Sequence, residues 1–188
     1  MTQREFLIRP RASEKASRVI KIRKEDWGDE QQIHKVNREA FGRDNEADLV
    51  DQLRQSCPDS ISLVALSDDR MVGHILFTPV VIEGKEGNLK GMGLAPMAVL
   101  PEFQNQGIGS QLVRAGLAAV AETQSPFVVV LGHPTFYPRF GFVPASRYGI
   151  VSEYEGVPDE AFMILVLTTG PLEGVSGVAR YRPEFSIH

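Results

Sequence analysis

The N-terminal part of the chain changes from the hydrophobic pattern of a strand to that of two helices. Apolar residues placed among basic ones over 18–24 predict a first strand. Over 33–40 the apolar residues recur at spacings of three and four, which places them on one face of a helix, and Asp26 is a suitable N-cap. A second helix is expected over 44–57, because leucines one turn apart follow an acidic start and Pro58 ends the segment.

The middle of the chain has the pattern of paired strands. Two strand-like runs within 62–83 flank the acidic residues 68–69, which predicts a β-hairpin. A glycine-punctuated turn is expected over 84–91, followed by an apolar strand over 94–100. Pro96 lies inside that strand and has no N–H to donate, so we expect the strand to bulge there or to splay from one neighbour.

A strand–helix–strand unit follows, and it indicates the α/β class. A helix is predicted from about residue 107 to residue 122, and the continuously apolar segment 127–131 reads as a strand covered on both faces. A crossover of this kind joins parallel strands. A short helical turn over 134–140 then leads to two further strands, near Phe142 and over 161–168.

Length and composition are those of one ordinary globular domain. The chain has 188 residues, of which 43% are hydrophobic and 23% charged. Two full domains would need more chain, since a domain takes roughly 100–200 residues. We expect a basic N-terminal tail over 1–17 and one domain over 18–188. Near its end, a loop is predicted over 170–177 and a basic, aromatic tail over 180–185.

Charge and cysteine content exclude several classes of function. The net charge of −4 lacks the positive field of a nucleic-acid binder, although residues 1–24 hold eight basic and two acidic side chains. The longest apolar runs fall far short of the roughly 18–20 residues that span a bilayer. The lone Cys57 can form no internal disulfide and, like the four histidines, shows no metal-ligand spacing. We expect a cytoplasmic protein without a metal site.

The segment 99–110, VLPEFQNQGIGS, is the most specific chemical signal. Gly107 and Gly109 open a helix although glycine costs roughly 1 kcal/mol relative to alanine there. Glycines at a helix N-terminus let a ligand approach free N–H groups, which favours phosphate binding, although a plain tight turn also explains them. The glycine spacing matches neither a P-loop nor GxGxxG, and the residues around Ser110 do not form a GxSxG elbow.

Two motifs in this order resemble the GNAT superfamily of N-acetyltransferases. Gln104, Gly107 and Gly109 occupy the places of its Gln/Arg-x-x-Gly-x-Gly/Ala signature. The segment 136–142, FYPRFGF, is similar to its Phe/Leu-Tyr-x-x-x-Gly-Phe segment. The stretches LVALSDDRMVGHILFTPV, VVVLGHPTFYPRFGF and GPLEGVSGVARYRPEF resemble its bacterial YhbS-like branch, so the resemblance covers about residues 18–185.

The resemblance implies a fold and a cofactor site. It implies a mixed, mostly antiparallel twisted sheet with a splayed central parallel pair and helices on both faces. The splay would expose backbone groups to the pantetheine arm of coenzyme A, and the first amides of the following helix would hold the pyrophosphate. The cofactor-binding residues implied in this way are Met97, Ala98, Val99, Gln104, Asn105, Gln106, Gly107, Ile108, Gly109, Ser110 and His133.

The implied activity is transfer of an acetyl group from acetyl-CoA to a primary amine by direct attack on the thioester. Tyr137 matches the family's catalytic tyrosine and would protonate the departing thiolate, although a structural pocket tyrosine is the alternative. Glu46, with Asp48, opens the second helix and would border the acceptor, but acidic residues are also common in any first helical turn. His133 replaces a family asparagine and is a cofactor or acceptor contact or an ordinary capping residue. His74 is expected to be structural.

Two alternative functions remain open from the sequence. One is a non-catalytic acyl-CoA-binding sensor or interaction module, and the other is a GNAT enzyme that uses a longer acyl-CoA. The acceptor would be a small-molecule or peptide amine, while membrane and nucleic-acid partners are not expected. The sequence leaves a homodimer open.

Overall fold

The computed structural model describes residues 19–85 and 87–187. The predicted basic tail, residues 1–17, lies outside the described residues. Within the described part, the elements are β1 Ile20–Lys24, α1 Glu30–Phe41, α2 Asn45–Ser56, β2 Ile61–Ser67, β3 Arg70–Gly84, β4 Gly87–Val99, α3 Ile108–Glu122, β5 Phe127–Leu131, β6 Val143–Pro144, β7 Ile150–Ser152, β8 Phe162–Val166 and β9 Gly177–Arg180. None of these helices is both long and apolar enough to cross a bilayer.

The strands form one mixed sheet in the order β1-β2-β3-β4-β5-β8-β6. Neighbours in this order are antiparallel except β4 and β5, which are parallel and central. β9 pairs with the outer half of β3, and the short β7 runs parallel to β9. The predicted mixed, mostly antiparallel sheet with a central parallel pair is confirmed.

The central pair splays where Pro96 interrupts β4. Pairing of β4 with β5 runs from Met92 opposite Val128 to Leu94 opposite Val130, and goes no further. On the other side of β4, the register against β3 shifts within the same stretch. Both irregularities occur at Pro96, which has no N–H to donate to a ladder, as predicted from the sequence.

Helices cover both faces of the sheet, as the sequence predicts. On one face, α1 contributes Asn37, whose side-chain amide lies 3.0 Å from His74 Nδ1 on β3. Side chains alternate between the two faces along a strand, so His74 and Phe77 of β3 point to opposite faces. On the other face, the ring of Phe77 lies so close to α3 that a Cβ on Gly116 would be 2.3 Å from it.

His74 is fully buried between α1 and β2, in keeping with its expected structural role. Ser62 gives its hydroxyl proton to Glu25, so it must accept from His74 Nε2–H across 3.0 Å. His74 Nδ1 then accepts the N–H of Asn37 at 3.0 Å. Burial lowers the pKa of His74 to about 3, so the imidazole is neutral and its tautomer is fixed by its neighbours.

Three local predictions differ from the structure. The N-cap of α1 is Asp29, whose carboxylate binds Arg23 and the N–H of Asp26, so Asp26 is not the cap. Gly91 lies inside β4 rather than in the turn. A glycine is needed at this place in the strand because the ring of Phe127 fills the space of a side chain. Between the predicted loop, 170–177, and the predicted tail, 180–185, the chain forms β9, whose partner on β3 is about 100 residues away in sequence and leaves no local pattern.

Cys57 follows α2 and is buried in the main hydrophobic core. Burial raises the pKa of its thiol, which therefore stays protonated at neutral pH.

The buried neutral imidazole of His74 predicts a loss of stability in acid. The pKa of this group is about 3 in the folded state and about 6.5 in an unfolded chain, so between these values only the unfolded chain binds the proton. We expect this group to lower the free energy of unfolding by about 1.4 kcal/mol per pH unit as the pH falls through that interval. Urea unfolding of the wild type and His74→Gln between pH 4 and 8 measures it. Equal pH slopes in the two proteins would contradict the prediction.

Candidate active site

A cleft of about 610 Å³ opens where α3 begins, between the splayed end of β4 and the turn that follows β5. Most of the predicted cofactor and catalytic residues meet in it. Those that line it are Met97, Val99, Gln104, Asn105, Gly107, Ile108, Gly109, Ser110, His133 and Tyr137.

The loop before α3 is shaped so that the first turn of the helix faces the cleft with free N–H groups. Gly107 is the N-cap residue with φ 84°, and Asn105 has φ 58°, so two left-handed residues turn the chain sharply into the helix. The first helical bond runs from Gln111 N–H to Gly107 O, at 3.1 Å. The amides of residues 108–110 therefore have no intrahelical acceptor, and they lie at the positive end of the helix dipole.

Two glutamines hold this loop in place with their side chains. Gln104 Nε2 donates to the carbonyl of Val99 at 3.0 Å, which ties the loop to the end of β4. Gln106 Nε2 donates to the carbonyl of Glu102 at 2.9 Å, and Gln106 does not line the cleft. Both side chains therefore stabilise the conformation of the loop before α3.

The end of β4 forms one wall of the cleft. Met97 lies beside the helix start, since a Cβ on Gly109 would be 3.5 Å from its terminal methyl carbon. Ala98 is buried in the core, pairs with His74 of β3 and does not line the cleft. These residues lie beyond Leu94, the last residue of β4 that pairs with β5.

Tyr137 lies opposite the helix start, in the short turn after β5. Its ring packs edge-on against Phe136 and Phe142, with centroid distances of 5.0 and 5.6 Å. Its hydroxyl makes no hydrogen bond with any residue that the structure describes. Burial raises the pKa of Tyr137 to about 12, so the hydroxyl keeps its proton at neutral pH.

Gly132 makes the position of this tyrosine ring attainable. A Cβ at Gly132 would lie 2.4 Å from Cε2 of Tyr137, so any larger residue would displace the ring. Nothing in the sequence singles out Gly132, because the packing of these two positions is defined only in the folded turn.

The two remaining predicted residues differ in their placement. His133 is exposed and lines the cleft, and its carbonyl accepts the N–H of Phe136 at 3.0 Å. Glu46 does not line the cleft, and its carboxylate accepts from Arg43 Nε at 3.0 Å. The structure therefore brings His133 and Tyr137 together and leaves Glu46 in a surface ion pair.

The cleft is also lined by residues for which the sequence predicted no role. They include Phe103, Thr135, Phe136 and Arg139. The signal that could have found the last three is their position in TFYPRF, within two residues of the motif tyrosine. Among the residues that the structure describes, including those of the cleft, no group of three or more His, Cys, Asp or Glu side chains is arranged to hold a metal ion.

Comparison with known proteins identifies the family. Residues 21–145 match the family model described as "Acetyltransferase (GNAT) domain". The chain belongs to the GNAT family of acetyltransferases. Within this family it is 39% identical to the uncharacterized N-acetyltransferase YjhQ of Escherichia coli K12 over 153 residues, which cover 78% of this chain and 84% of that one. It is 35% identical to YhbS of the same strain over 155 residues, which cover 82% and 91% of the two chains.

Solved GNAT structures show the same fold over nearly the whole chain. The structure of YhbS from Escherichia coli in complex with CoA matches with a TM-score of 0.83 at 32% identity and covers 93% of this chain and 96% of that one. A GNAT family acetyltransferase from Brucella melitensis in complex with acetyl-CoA matches with a TM-score of 0.72 at 32% identity, covering 89% and 99%. The predicted resemblance to the YhbS-like GNAT branch is confirmed.

The contact between Gly132 and Tyr137 can be tested by a double-mutant cycle. We expect Gly132→Ala to lower the free energy of unfolding by about 1–3 kcal/mol, because the added methyl group overlaps the ring. In a Tyr137→Ala background the same change should cost much less, giving a coupling energy of about 1 kcal/mol or more in urea unfolding. Gly170→Ala is the control, since a Cβ there meets nothing within 4 Å. Additive effects of the two changes would show that Gly132 does not position the ring.

Proposed function

We propose that this protein is an acetyl-CoA-dependent N-acetyltransferase that transfers the acetyl group to a primary amine by direct attack on the thioester. The observation behind this proposal is the juxtaposition of free helix amides and the Tyr137 hydroxyl in one cleft, at the point where the parallel strands separate. The CoA and acetyl-CoA held by the YhbS and Brucella melitensis structures, each 32% identical, support this choice of donor.

The residues of the cleft fit the donor chemically. The free amides of residues 108–110 would bind the diphosphate, since N–H groups at a helix N-terminus favour anions. At Gly109 the absent side chain leaves room for close approach, and the Ser110 hydroxyl lies on the same rim. The backbone of residues 97–99, beyond the last pairing with β5, would polarise the thioester carbonyl.

The reaction forms one bond and breaks one. The neutral amine nitrogen attacks the carbonyl carbon, the C–N bond forms, the C–S bond breaks, and the net proton moves from nitrogen to sulfur. Tyr137 would donate its hydroxyl hydrogen toward the departing sulfur. The hydroxyl is available for this role because no described residue accepts its proton.

The pKa of Tyr137 determines how it would act. Its value of about 12 lies well above the value of about 8.5 that is usual for an alkyl thiol. Complete transfer of the proton from tyrosine to a free thiolate is therefore unfavourable. We infer that the hydroxyl stabilises the developing thiolate by hydrogen bonding, while the proton lost by the amine replaces any proton given to sulfur.

The amine must be neutral before it attacks. Glu46 is paired with Arg43 and does not line the cleft, so we do not assign it the role of general base. His133 lines the same cleft as Tyr137 and would contact the donor or the acceptor. Water can accept the amine proton, which makes a dedicated base unnecessary.

The acceptor is a small-molecule or peptide amine that a product-based assay can identify. Release of free thiol from acetyl-CoA would be followed against a pooled amine library, with mass spectrometry of the acetylated product. Thermal stabilisation by acetyl-, succinyl- and longer acyl-CoA ranks the donors, because a ligand selective for the folded state stabilises it by mass action. Donor binding without turnover on any amine would favour the non-catalytic sensor.

The predicted place of the diphosphate is tested by adding one negative charge to the rim of the cleft. We expect Ser110→Asp to weaken acetyl-CoA binding by about tenfold or more, because the carboxylate would repel a phosphate a few ångströms away. The unliganded protein should be no less stable, since a carboxylate in the first helical turn is favourable. Calorimetric titration measures the affinity. Gln111→Asp, which adds the same charge at an exposed neighbour outside the cleft, should retain most of it. Equal losses in the two variants would argue against the assignment.

The role of Tyr137 is tested by removing one oxygen atom. We expect Tyr137→Phe to lower kcat about 100-fold while the Kd for acetyl-CoA stays within a factor of two, since a group that helps the leaving thiolate acts mainly in the transition state. Tyr148→Phe, at an exposed tyrosine outside the cleft, is the control. The rate of the wild type should show no loss from tyrosine ionisation below about pH 11. An unchanged kcat in Tyr137→Phe would remove its catalytic role.

A further inference from the structure

Two arginines lie over one pair of aromatic rings at the rim of the cleft. Arg139 lines the cleft, and its guanidinium carbon is 4.8 Å from the centre of the Phe136 ring. The guanidinium carbon of Arg114, on α3, is 5.4 Å from the centre of the Phe140 ring. The two rings contact each other edge-on, with centroids 5.3 Å apart. The four side chains therefore form one continuous cluster.

Arg114 connects this cluster to the first turn of α3. It follows Ser110 by four residues, so the two side chains lie on the same face of α3, about one turn apart. Ser110 lines the cleft at the free amides. Arg139 lines the cleft beside those amides, and Arg114 is connected to it through the contacting rings of Phe140 and Phe136.

These arginines differ from most others in the described part of the chain. Three arginines there form no ion pair with a carboxylate, namely Arg114, Arg139 and Arg147. The seven that do are Arg23, Arg38, Arg43, Arg54, Arg70, Arg180 and Arg182. Carboxylates are not scarce, since the chain carries 24 Asp and Glu against 20 Lys and Arg. Two of the three unpaired guanidiniums thus belong to one cluster at the cleft.

We propose that Arg139 and Arg114 bind the 3′-phosphate of the donor coenzyme A. This inference rests on the proposed function and extends it to a second anion site. The donor carries a diphosphate, which the helix amides suit, and a separate phosphomonoester, which needs donors of its own. A guanidinium matches phosphate with two parallel N–H groups, and packing on an aromatic ring restricts its freedom beforehand. The arginine pair thereby distinguishes coenzyme A from its 3′-dephospho form.

The test compares two donors that differ only in this phosphate. Calorimetry would give the Kd of acetyl-CoA and of 3′-dephospho-acetyl-CoA for the wild type, Arg114→Gln, Arg139→Gln and the double variant. We expect the wild type to prefer acetyl-CoA by about tenfold, which corresponds to about 1.4 kcal/mol. Each single change should reduce that ratio, and the double variant should bind both donors equally. The affinity for the dephospho donor should stay within a factor of two throughout.

Controls separate recognition from folding and from general charge. Arg147→Gln removes an equally unpaired arginine outside the cleft and should leave the ratio unchanged. Arg139→Lys keeps the charge but loses the planar fork, so an intermediate ratio supports the proposal. Thermal unfolding without ligand should change only slightly in all variants, because Arg114 and Arg139 are exposed and an exposed contact with an aromatic ring contributes little.

The opposing outcomes are distinct. If the wild type binds both donors with equal affinity, this inference fails while the proposed function stands. If Arg139→Gln weakens both donors to the same extent, the arginine acts on a part of the ligand other than the 3′-phosphate, and the inference again fails. If the wild type binds neither donor, the proposed function fails as well.

Discussion

The end of backbone pairing between β4 and β5 is the constraint on which the rest of the site depends. The two strands share hydrogen bonds up to Leu94 and Val130, and Pro96 then removes a donor that a continued ladder would need. Had the pairing continued, the edge of β4 would be satisfied by β5 and closed to any ligand. Because it stops inside the sheet, the backbone of β4 beyond Leu94 has no partner on β5 at a position otherwise surrounded by packed strands.

The elements around this gap are oriented by their own short connections. The chain leaves β4, turns through two left-handed residues and enters α3 with its positive end toward the gap. It then returns along β5 and places the ring of Tyr137 against the α-carbon of Gly132. Strand end, helix start and aromatic turn are all within 45 residues of one another in sequence, so one crossover unit builds the whole cleft.

The sequence predicts those parts of the molecule that local chemistry determines. The hairpin of β2 and β3, helix α3 and the irregularity at Pro96 each follow from periodicity, turn residues or a missing N–H. The strand β9 does not follow, because its partner on β3 is distant in sequence. The same limit applies to Gly132 and to the arginine cluster, which depend on how side chains from different elements meet. Glu46 is a different case, since its place in the second helix was predicted from the sequence but its pairing with Arg43 was not.

The network around His74 shows what the protein needs for stability alone. Donors and acceptors from α1, β2 and β3 meet at an imidazole that stays neutral, and the network ends at Glu25, whose carboxylate is neutralised by an ion pair with Arg54. This polar network involves β2 and β3, whereas the cleft is lined by the end of β4, and the two share no side chain.

Burial of Cys57 has a practical consequence for the study of this molecule. It is the single cysteine of the chain, and its thiol is enclosed in the core with a raised pKa. A thiol-reactive dye added to the folded protein therefore has no fast target on the polypeptide itself. Colour that develops while a thioester reacts therefore measures the small-molecule thiol released from it. The folded protein itself contributes little background.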